Sequence, residues 1–331
     1  MGGGEEEFDV LDAEGRPTGR VKARSAVHRD GDWHAAVHVW VLLQCPCAGR
    51  APPPAGAERL SDFTPAALLE RALRGGGGGG EGGGGGFSGR CSACGRDWEF
   101  LLQRRALHKE SWPGMWDISA AGHVEAGGSA LTTAQRELWE ELGLRFPRGA
   151  FQPLFTHRQR FRGEFHGKSF VNNEFNHVFL VSVVSTEANK APIPGEALRL
   201  QEAEVAEVRS FPVAKLRERL LSRDPGYMTY LEGLSGESAG YDRLFQIVSR
   251  RLQLLSDGLA CPGILREGQV RGAGGVLLPL RFHTWNYSRV LADTGDYFAF
   301  DAQDPPRGKA QAPDTMAGEP ENWEKAGAQF A

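Results

Sequence analysis

The chain has 331 residues, a formal net charge of −4 and five cysteines. That length suffices for one elaborated domain or two small ones, and a mildly acidic charge gives no basis for binding a nucleic acid polymer or an anionic membrane. Since no apolar run is long enough to span a bilayer and MGGGEEEFDV lacks a signal-peptide core, we expect a soluble, cytoplasmic protein.

The first elements predicted along the chain are strands. Two apolar runs around turn residues predict a hairpin over 8–20, and the β-branched run at 36–43 predicts a strand buried on both faces. The polar segment 24–34 lies between them. A further strand, 98–103, is expected to pair with the strand at 36–43.

An insertion, residues 44–97, separates those two strands. It contains a predicted helix over 61–73 and eleven glycines in residues 75–86, a tract that cannot bury apolar surface. Its two ends carry four cysteines, which are Cys45, Cys47, Cys91 and Cys94. If the strands pair, four thiols come together, as a tetrahedral zinc site requires. Zinc and free thiols on a loop are both consistent with this pattern.

The stretch 122–144 reads GHVEAGGSALTTAQRELWEELGL and predicts a tight loop followed by a helix over 130–142. At about 100° per residue, one helix face is apolar and another carries three acids at spacings of three and four, namely Glu137, Glu140 and Glu141. These like charges repel each other, and a hard divalent cation such as Mg²⁺ would relieve the repulsion. Arg136 lies beside them and can pair with a carboxylate. Considered alone, the acidic run is more typical of a solvated face.

Downstream of this helix, strands are predicted over 151–161, 169–184 and 202–211, and helices over 213–221 and 241–255. Glu174 lies near the start of the second strand, and a basic hairpin precedes it. Beyond Gly258 the periodicity is lost. We therefore expect a domain over 1–258 and an irregular tail over 259–331.

The 122–144 stretch resembles the signature of the Nudix hydrolases, G-x5-E-x7-R-E-U-x-E-E-x-G-U with U apolar. Eight of the nine defined positions agree, and the departure is Gly128, where the family has its first Glu. The resemblance implies an α/β fold in which a mixed β-sheet is sandwiched between helices, here with a Cys/Gly-rich hairpin insertion. It also implies that the three acids bind Mg²⁺ or Mn²⁺ and that Arg136 orients one of them.

Residues 8–255 further resemble the isopentenyl diphosphate isomerase branch of the Nudix superfamily. The segments that carry this likeness are DVLDAEGRPTG, HRDGDWHAAVHVW, LLQRRALHKESWPGMWDISAAGH and VNNEFNHVFLV. The likeness is greatest to the Nudix domain of plant proteins that join it to a dipeptidyl-peptidase-III-like region. No HExxGH-type sequence is present, so we expect that second region to be absent.

The isomerases hold a metal with three His and two Glu, and they use a catalytic Cys and Glu. The three histidines are matched by His28, His34 and His123, and the catalytic, metal-bound Glu is matched by Glu174. The second metal Glu is Asn172, and the catalytic Cys is Ala121, which can neither donate nor accept a proton. His28 and His34 are therefore either part of a second metal site or hydrogen-bonded loop histidines.

Hydrolysis is the function that we expect. Glu137 stands where the isomerases place a phosphate-binding Arg, and it belongs to the hydrolase signature. The resemblance implies cleavage of a nucleoside- or prenyl-type small molecule, X-diphosphate-Y, with Glu174 or Glu141 as the general base. The family's diphosphate contacts are matched by Arg24, Arg105 and Lys109. The alternatives are isopentenyl diphosphate isomerisation with another acid, and a catalytically weak diphosphate-binding module.

Overall fold

A computed structural model describes residues 4–45, 91, 94–165, 167–184, 193, 198–228, 245, 264–271 and 277–284. The strands are β1 (Glu7–Leu11), β2 (Pro17–Ala23), β3 (Trp33–Gln44), β4 (Glu99–Arg105), β5 (Trp116–Asp117), β6 (Ala120–His123), β7 (Phe151–Phe165), β8 (Lys168–Val184), β9 (Val205–Pro212), β10 (Ile264–Arg271) and β11 (Leu277–Thr284). The helices are α1 (Arg24–Asp30), α2 (Ala130–Leu142) and α3 (Val213–Leu221). Among the described residues, no helix is long and apolar enough to cross a membrane.

These strands form one mixed sheet whose central path runs β10-β11-β8-β3-β1-β2. β3 and β8 are parallel over their whole pairing, from Trp33↔Asn173 to Gln44↔Val184. The other pairs between these strands are antiparallel, with β4 and β6 on β3, β7 on β8, and β9 on β4. The mixed sheet predicted from the sequence resemblance is confirmed.

β3 lies at the centre because its side chains alternate between two hydrophobic layers. Val37, Val39 and Val41 face the layer that contains α2, whereas Trp40 and Leu42 face the layer that contains α3. A strand that is buried on both faces has a nearly continuous apolar sequence, as residues 36–43 do. Helices therefore cover both faces of the sheet, as expected.

Local sequence signals define both ends of α2. The Ser129 side chain accepts a hydrogen bond from the backbone N–H of Thr132 at 3.3 Å, and Gly143 ends the helix with φ +71°. The apolar stripe of this helix is buried and consists of Leu131, Ala134, Leu138 and Leu142. Burying each leucine contributes about 1.5–3 kcal/mol relative to leaving it exposed. The helix spans the residues that its sequence predicts.

Most other element predictions agree with the structure, with two differences. α1 was not predicted, because its seven residues are polar and too few to show a helical period. The basic residues expected in a hairpin loop lie inside β7, since this strand continues to Phe165. The predicted helix over 61–73, the glycine tract and Cys47 lie outside the described residues. So does the helix over 241–255, apart from buried Phe245.

Residues 264–271 and 277–284 lie within the expected irregular tail, and each of these ranges forms a strand. β10 and β11 form an antiparallel hairpin from Ile264↔Thr284 to Arg271↔Leu277, and β11 adds to β8 opposite Val183 and Val184. Gly and Pro inside these strands hide the strand pattern in the sequence. Pairing with the existing sheet stabilises strands whose own sequence signal is weak.

Candidate active site

The candidate site is arranged around β6, whose consecutive residues face different functional groups. The backbone N–H of Ala121 donates a hydrogen bond to Glu141, and Gly122 lies against the carboxyl group of Glu137. His123 Nε2 lies 3.2 Å from Glu174 Oε1 on β8. β6 pairs with β3, so the core strand fixes the position of this segment.

The Glu141 side chain is buried where α2 meets strands β4 and β6. Its Oε2 accepts hydrogen bonds from Gln103 Nε2 at 3.0 Å and from the N–H of Ala121 at 3.1 Å. Burial raises the pKa of Glu141 well above its usual value, and the nearby charge of Glu137 raises it further. The carboxyl group is thus fixed in orientation by two donors, in surroundings that disfavour its charge.

Arg136 pairs with both other acids of α2. Its Nη2 lies 2.8 Å from Glu137 Oε1, and its Nη1 lies 2.8 Å from Glu140 Oε2. Burial raises the pKa of Glu137 to about 8, although the charge of Arg136 opposes this shift. Gly122 is required here, because a Cβ atom at that position would overlap the Glu137 carboxyl group. The side chain of Glu140 is 42% exposed, so it lies at the mouth of the site.

The helix acids (Glu137, Glu140 and Glu141) fit a hard divalent cation by their chemistry. All three offer carboxylate oxygens, and two of them are buried where a positive charge would stabilise their ionised form. They do not form a tight group by themselves. Among the described residues, the two groups whose ligand atoms all lie within 4.8 Å consist of histidines and of cysteines.

The basic residues expected to contact phosphate surround this centre, but each has a carboxylate partner. Arg105 Nη1 lies 3.3 Å from Asp117 Oδ2, and Lys109 Nζ forms an ion pair with Glu204. Both acids lie close enough to Glu141 that their charges raise its pKa. Arg105 and Lys109 therefore line the same region as Glu141.

The histidine cluster (His28, His34 and His123) is brought together by α1, β3 and β6. Ligand atoms of the three rings lie within 4.8 Å of one another. Nε2 of His28 and Nε2 of His34 are buried and make no hydrogen bond among the described residues. Glu174 Oε1 lies 3.8 Å from His34 Nε2. Buried imidazole nitrogens beside a carboxylate are a donor set that suits a transition metal.

Two of the clustered histidines and Glu174 differ in their charge at neutral pH. Burial, together with the charge of His123, lowers the pKa of His28 to about 4 and that of His34 to about 3, so both are neutral at pH 7. Burial alone would raise the pKa of Glu174, but the hydrogen bond and charge of His123 hold it well below its usual range. Glu174 is thus an ionised, buried carboxylate.

Arg24 and Phe8 position the ring of His123. Arg24 Nη1 lies 3.3 Å from His123 Nδ1, and Phe8 stacks on the same ring at a centroid distance of 4.7 Å. These two contacts hold the ring with Nε2 toward Glu174. Arg24 also pairs with Glu6 at 2.7 Å. Since the charge of Glu6 is near enough to Glu137 to raise its pKa, Arg24 lies between the histidine cluster and the helix acids.

The cysteine cluster (Cys45, Cys91 and Cys94) lies elsewhere in the fold, where β3 ends and the segment before β4 begins. The three sulfurs lie within 4.8 Å of one another. Cys45 and Cys91 are buried against the α3 layer, and Cys94 is exposed. The approach of the two ends of the insertion, expected from strand pairing, is therefore present for these three residues.

Three contributors to the site were not predicted from the sequence. Gln103 orients Glu141, Phe8 stacks on the histidines, and Glu204 holds Lys109. Gln103 had a usable signal, since it is a polar residue within the apolar strand EFLLQ. Phe8 and Glu204 had none, because their contacts depend on the complete sheet.

Comparison with known proteins gives consistent matches. A profile of the NUDIX domain matches residues 91–231. Nudix hydrolase 3 of Arabidopsis thaliana is 37% identical over 250 residues, which are 76% of this chain and 24% of that protein. An isopentenyl-diphosphate Delta-isomerase of Streptomyces griseus is 33% identical over 153 residues, which are 43% of this chain and 68% of the isomerase. The solved structure of a Nudix hydrolase from M. smegmatis, RenU, covers 73% of this chain and 94% of its own at 13% identity, with a TM-score of 0.33. This chain thus spans about a quarter of the length of the Arabidopsis relative.

Proposed function

Because this chain belongs to the Nudix family, we propose that it hydrolyses a small molecule of the form X-diphosphate-Y with Mg²⁺ or Mn²⁺. The observation that carries the proposal is the pair of buried carboxyl groups of Glu137 and Glu141, held beneath β6 by Arg136, Gln103 and the Ala121 N–H. Two acids at this depth are costly unless a cation accompanies them. Nucleoside and prenyl diphosphates are the substrate classes to be compared.

The helix acids would hold the ion, with Arg136 orienting Glu137 and Glu140 through separate nitrogens. A bound Mg²⁺ or Mn²⁺ ion neutralises diphosphate charge and lowers the pKa of the attacking water. Arg105 and Lys109 would exchange their carboxylate partners for phosphate oxygens as the substrate enters. Arg24 is already beside His123 and would contact the other end of the diphosphate.

The two candidate bases differ in proton affinity. A general base works best when its pKa lies near the operating pH. The pKa of Glu141 is raised by burial, whereas that of Glu174 is held well below its usual range by His123. We therefore assign proton acceptance to Glu141, in the ionised form that a bound cation would favour, and to Glu174 a role as an anionic ligand or hydrogen-bond acceptor.

The test compares Glu141→Gln with Glu218→Gln, an exposed acid on α3 that serves as the charge-matched control. Release of phosphorylated products is measured from nucleoside diphosphate, dinucleotide and prenyl diphosphate substrates with Mg²⁺ or Mn²⁺. Glu141→Gln should lower turnover at least ~100-fold, since even partners outside the metal's own ligands contribute up to that amount. Glu218→Gln should leave it unchanged.

Folding of the Glu141→Gln variant is checked by circular dichroism. Because the buried acid favours its neutral form, glutamine is a close mimic and the metal-free fold should persist. Equal turnover by Glu141→Gln and the parent chain would refute hydrolysis at this site. Tight binding of a diphosphate by the parent chain without any turnover would instead identify a binding module.

A second candidate function is favoured by the histidine cluster. Its support is that the ligand atoms of three imidazoles lie within 4.8 Å of one another, that His123 contacts Glu174, and that Asn172 Oδ1 is buried without a hydrogen-bond partner among the described residues. Ala121 nevertheless stands in the position of the proton-transferring Cys, so an isomerase would need another acid. Incorporation of deuterium from heavy water into isopentenyl diphosphate, with no phosphate released, would identify this reaction.

A further inference from the structure

The cysteine cluster is remote from the proposed active site. Cys45 directly follows β3, whereas Ala121, whose N–H donates to Glu141, lies opposite His38 of the same strand. Seven residues of extended strand separate His38 from Cys45, or roughly 23 Å. The sulfurs therefore take no part in binding or cleaving a substrate at the helix acids.

The strands themselves bring these cysteines together. In the antiparallel pairing of β3 with β4, Leu43 lies opposite Glu99, so the chain after β3 meets the chain before β4. The segment before β4 is a compact turn in which the N–H of Cys91 donates to Arg96 and the N–H of Gly95 donates to Cys91, both at 2.8 Å. Gly95 has φ +69°, a conformation that favours glycine. This turn places Cys91 and Cys94 beside Cys45.

The separation of the sulfurs matches a zinc–thiolate site. With Zn–S bonds of about 2.3 Å, two sulfurs on a tetrahedral ion lie about 3.8 Å apart. The three sulfurs here all lie within 4.8 Å of one another, so shifts of less than about an ångström complete the geometry. Soft thiolate ligands exclude Mg²⁺, which takes oxygen donors, and favour Zn²⁺.

We infer that Cys45, Cys91 and Cys94 bind one structural Zn²⁺ ion at the base of the insertion. On binding, each thiol releases its proton to solvent and its sulfur forms a bond to the ion, with no change of oxidation state. These three thiolates supply three of the four ligands of a tetrahedral ion.

The consequence is a clamp across the ends of residues 46–90. Joining Cys45 to Cys91 and Cys94 closes the chain at the point where the glycine-rich insertion leaves and re-enters the sheet. Such a clamp limits the conformations of the unfolded chain and holds the ends of β3 and β4 in register. The inference does not depend on the proposed hydrolysis.

The experiment measures zinc in full-length protein produced with added zinc and purified without chelators or a polyhistidine tag. The zinc content should fall by one equivalent per chain in both Cys91→Ser and Cys94→Ser. Cys261→Ser is the matched control, because the inferred site does not use that thiol, and it should keep the zinc content of the parent chain. Zinc that is absent from the parent chain, or a zinc content that neither cluster variant lowers, overturns the inference.

A cobalt titration of the zinc-stripped parent chain covers the case in which a serine variant does not fold. Sulfur-to-cobalt charge-transfer absorption should develop to one equivalent and disappear on adding zinc, and only thiolate ligands produce this signal. Cobalt bound by the histidine cluster or the helix acids lacks it. Absence of the band, or a disulfide between two of the three cysteines in the freshly purified chain, contradicts the inference.

Discussion

At the scale of single residues, Glu137 and Glu141 are acids that the fold holds in an environment unfavourable to their charge. Both are buried, and the pKa of each is raised, that of Glu137 to about 8. A cation that uses these oxygens has to displace protons below that pH. Metal binding and proton release are therefore linked at this site.

This linkage predicts a pH dependence of metal affinity. Since Glu137 is protonated below about pH 8, the apparent Mg²⁺ affinity should rise about tenfold per pH unit for its proton as the pH increases toward 8. Activity as a function of Mg²⁺ concentration, measured from pH 6 to 9, gives the slope. Glu137→Gln should make the slope smaller, because one of the two displaced protons is gone. An affinity that does not change with pH in the parent chain would contradict the linkage.

Gly122 offers a second residue-level prediction. In Gly122→Ala the new methyl group overlaps the Glu137 carboxyl group, so that side chain must move away from Arg136. We expect Mg²⁺ affinity to fall at least ~10-fold. Gly127→Ala is the control, because no atom lies within 4 Å of its added Cβ. Its positive φ costs about 1 kcal/mol of stability without affecting Mg²⁺ affinity. Equal Mg²⁺ affinities in the two variants would show that the contact is unimportant.

The sequence predicts individual residues well where their relation is local. The three acids and the apolar stripe of α2 follow from helical spacing alone, and Gly143 adopts the left-handed cap expected of it. Gln103 is noticeable as a polar residue in an apolar strand, but its partner Glu141 and the contacts of Phe8 could not be assigned, since they meet only through strand pairing. Spacing along one helix is fixed by its period, whereas contacts between elements depend on the register of the whole sheet.

At the scale of elements, the start of α2 depends on one hydroxyl group. Ser129 accepts from the N–H of Thr132, which would otherwise be an unpaired donor of the first turn. Ser129→Ala should lower the free energy of unfolding by about 1 kcal/mol, as measured by urea denaturation. Ser222→Ala, beyond the end of α3, provides a comparison at an exposed site. A smaller loss at Ser129 than at Ser222 would show that the cap contributes little.

Elements are predictable to the extent that each has its own pattern. β3 has a run of β-branched residues, and α3 has an amphipathic helical period. Both elements occur where these patterns predict them. α1 is too short and polar to be recognised. β10 and β11 are stabilised by each other and by β8, so no pattern within either strand indicates them.

At the scale of the whole molecule, the hairpin β10–β11 extends the central sheet. β11 pairs with β8 beside Val183 and Val184, two residues that are almost completely buried. The hairpin therefore lies beside the end of β8, where β7 no longer pairs with it. Residues beyond the predicted domain boundary at 258 belong to the same sheet.

Truncation tests the contribution of this hairpin. A chain that ends at Gly258 should be less stable by about 2 kcal/mol or more than one that ends at Thr284, because Val183 and Val184 lose their neighbouring strand. Thermal and urea unfolding of the two truncated chains give the difference directly. Both lack residues 285–331, so only 259–284 distinguishes them. Identical unfolding curves would mean that the hairpin does not support the sheet.

The parallel pairing of β3 with β8 also determines when the histidine cluster and Glu174 can meet. His34 and Glu174 are register partners, although 140 positions (174 minus 34) separate them in the chain. Contacts so distant in sequence raise the contact order and slow folding, because a long loop closes before any pairing energy is gained. During synthesis, the ribosome has to release β8 before this centre can assemble. An unfinished chain therefore carries its histidines without the carboxylate that completes them.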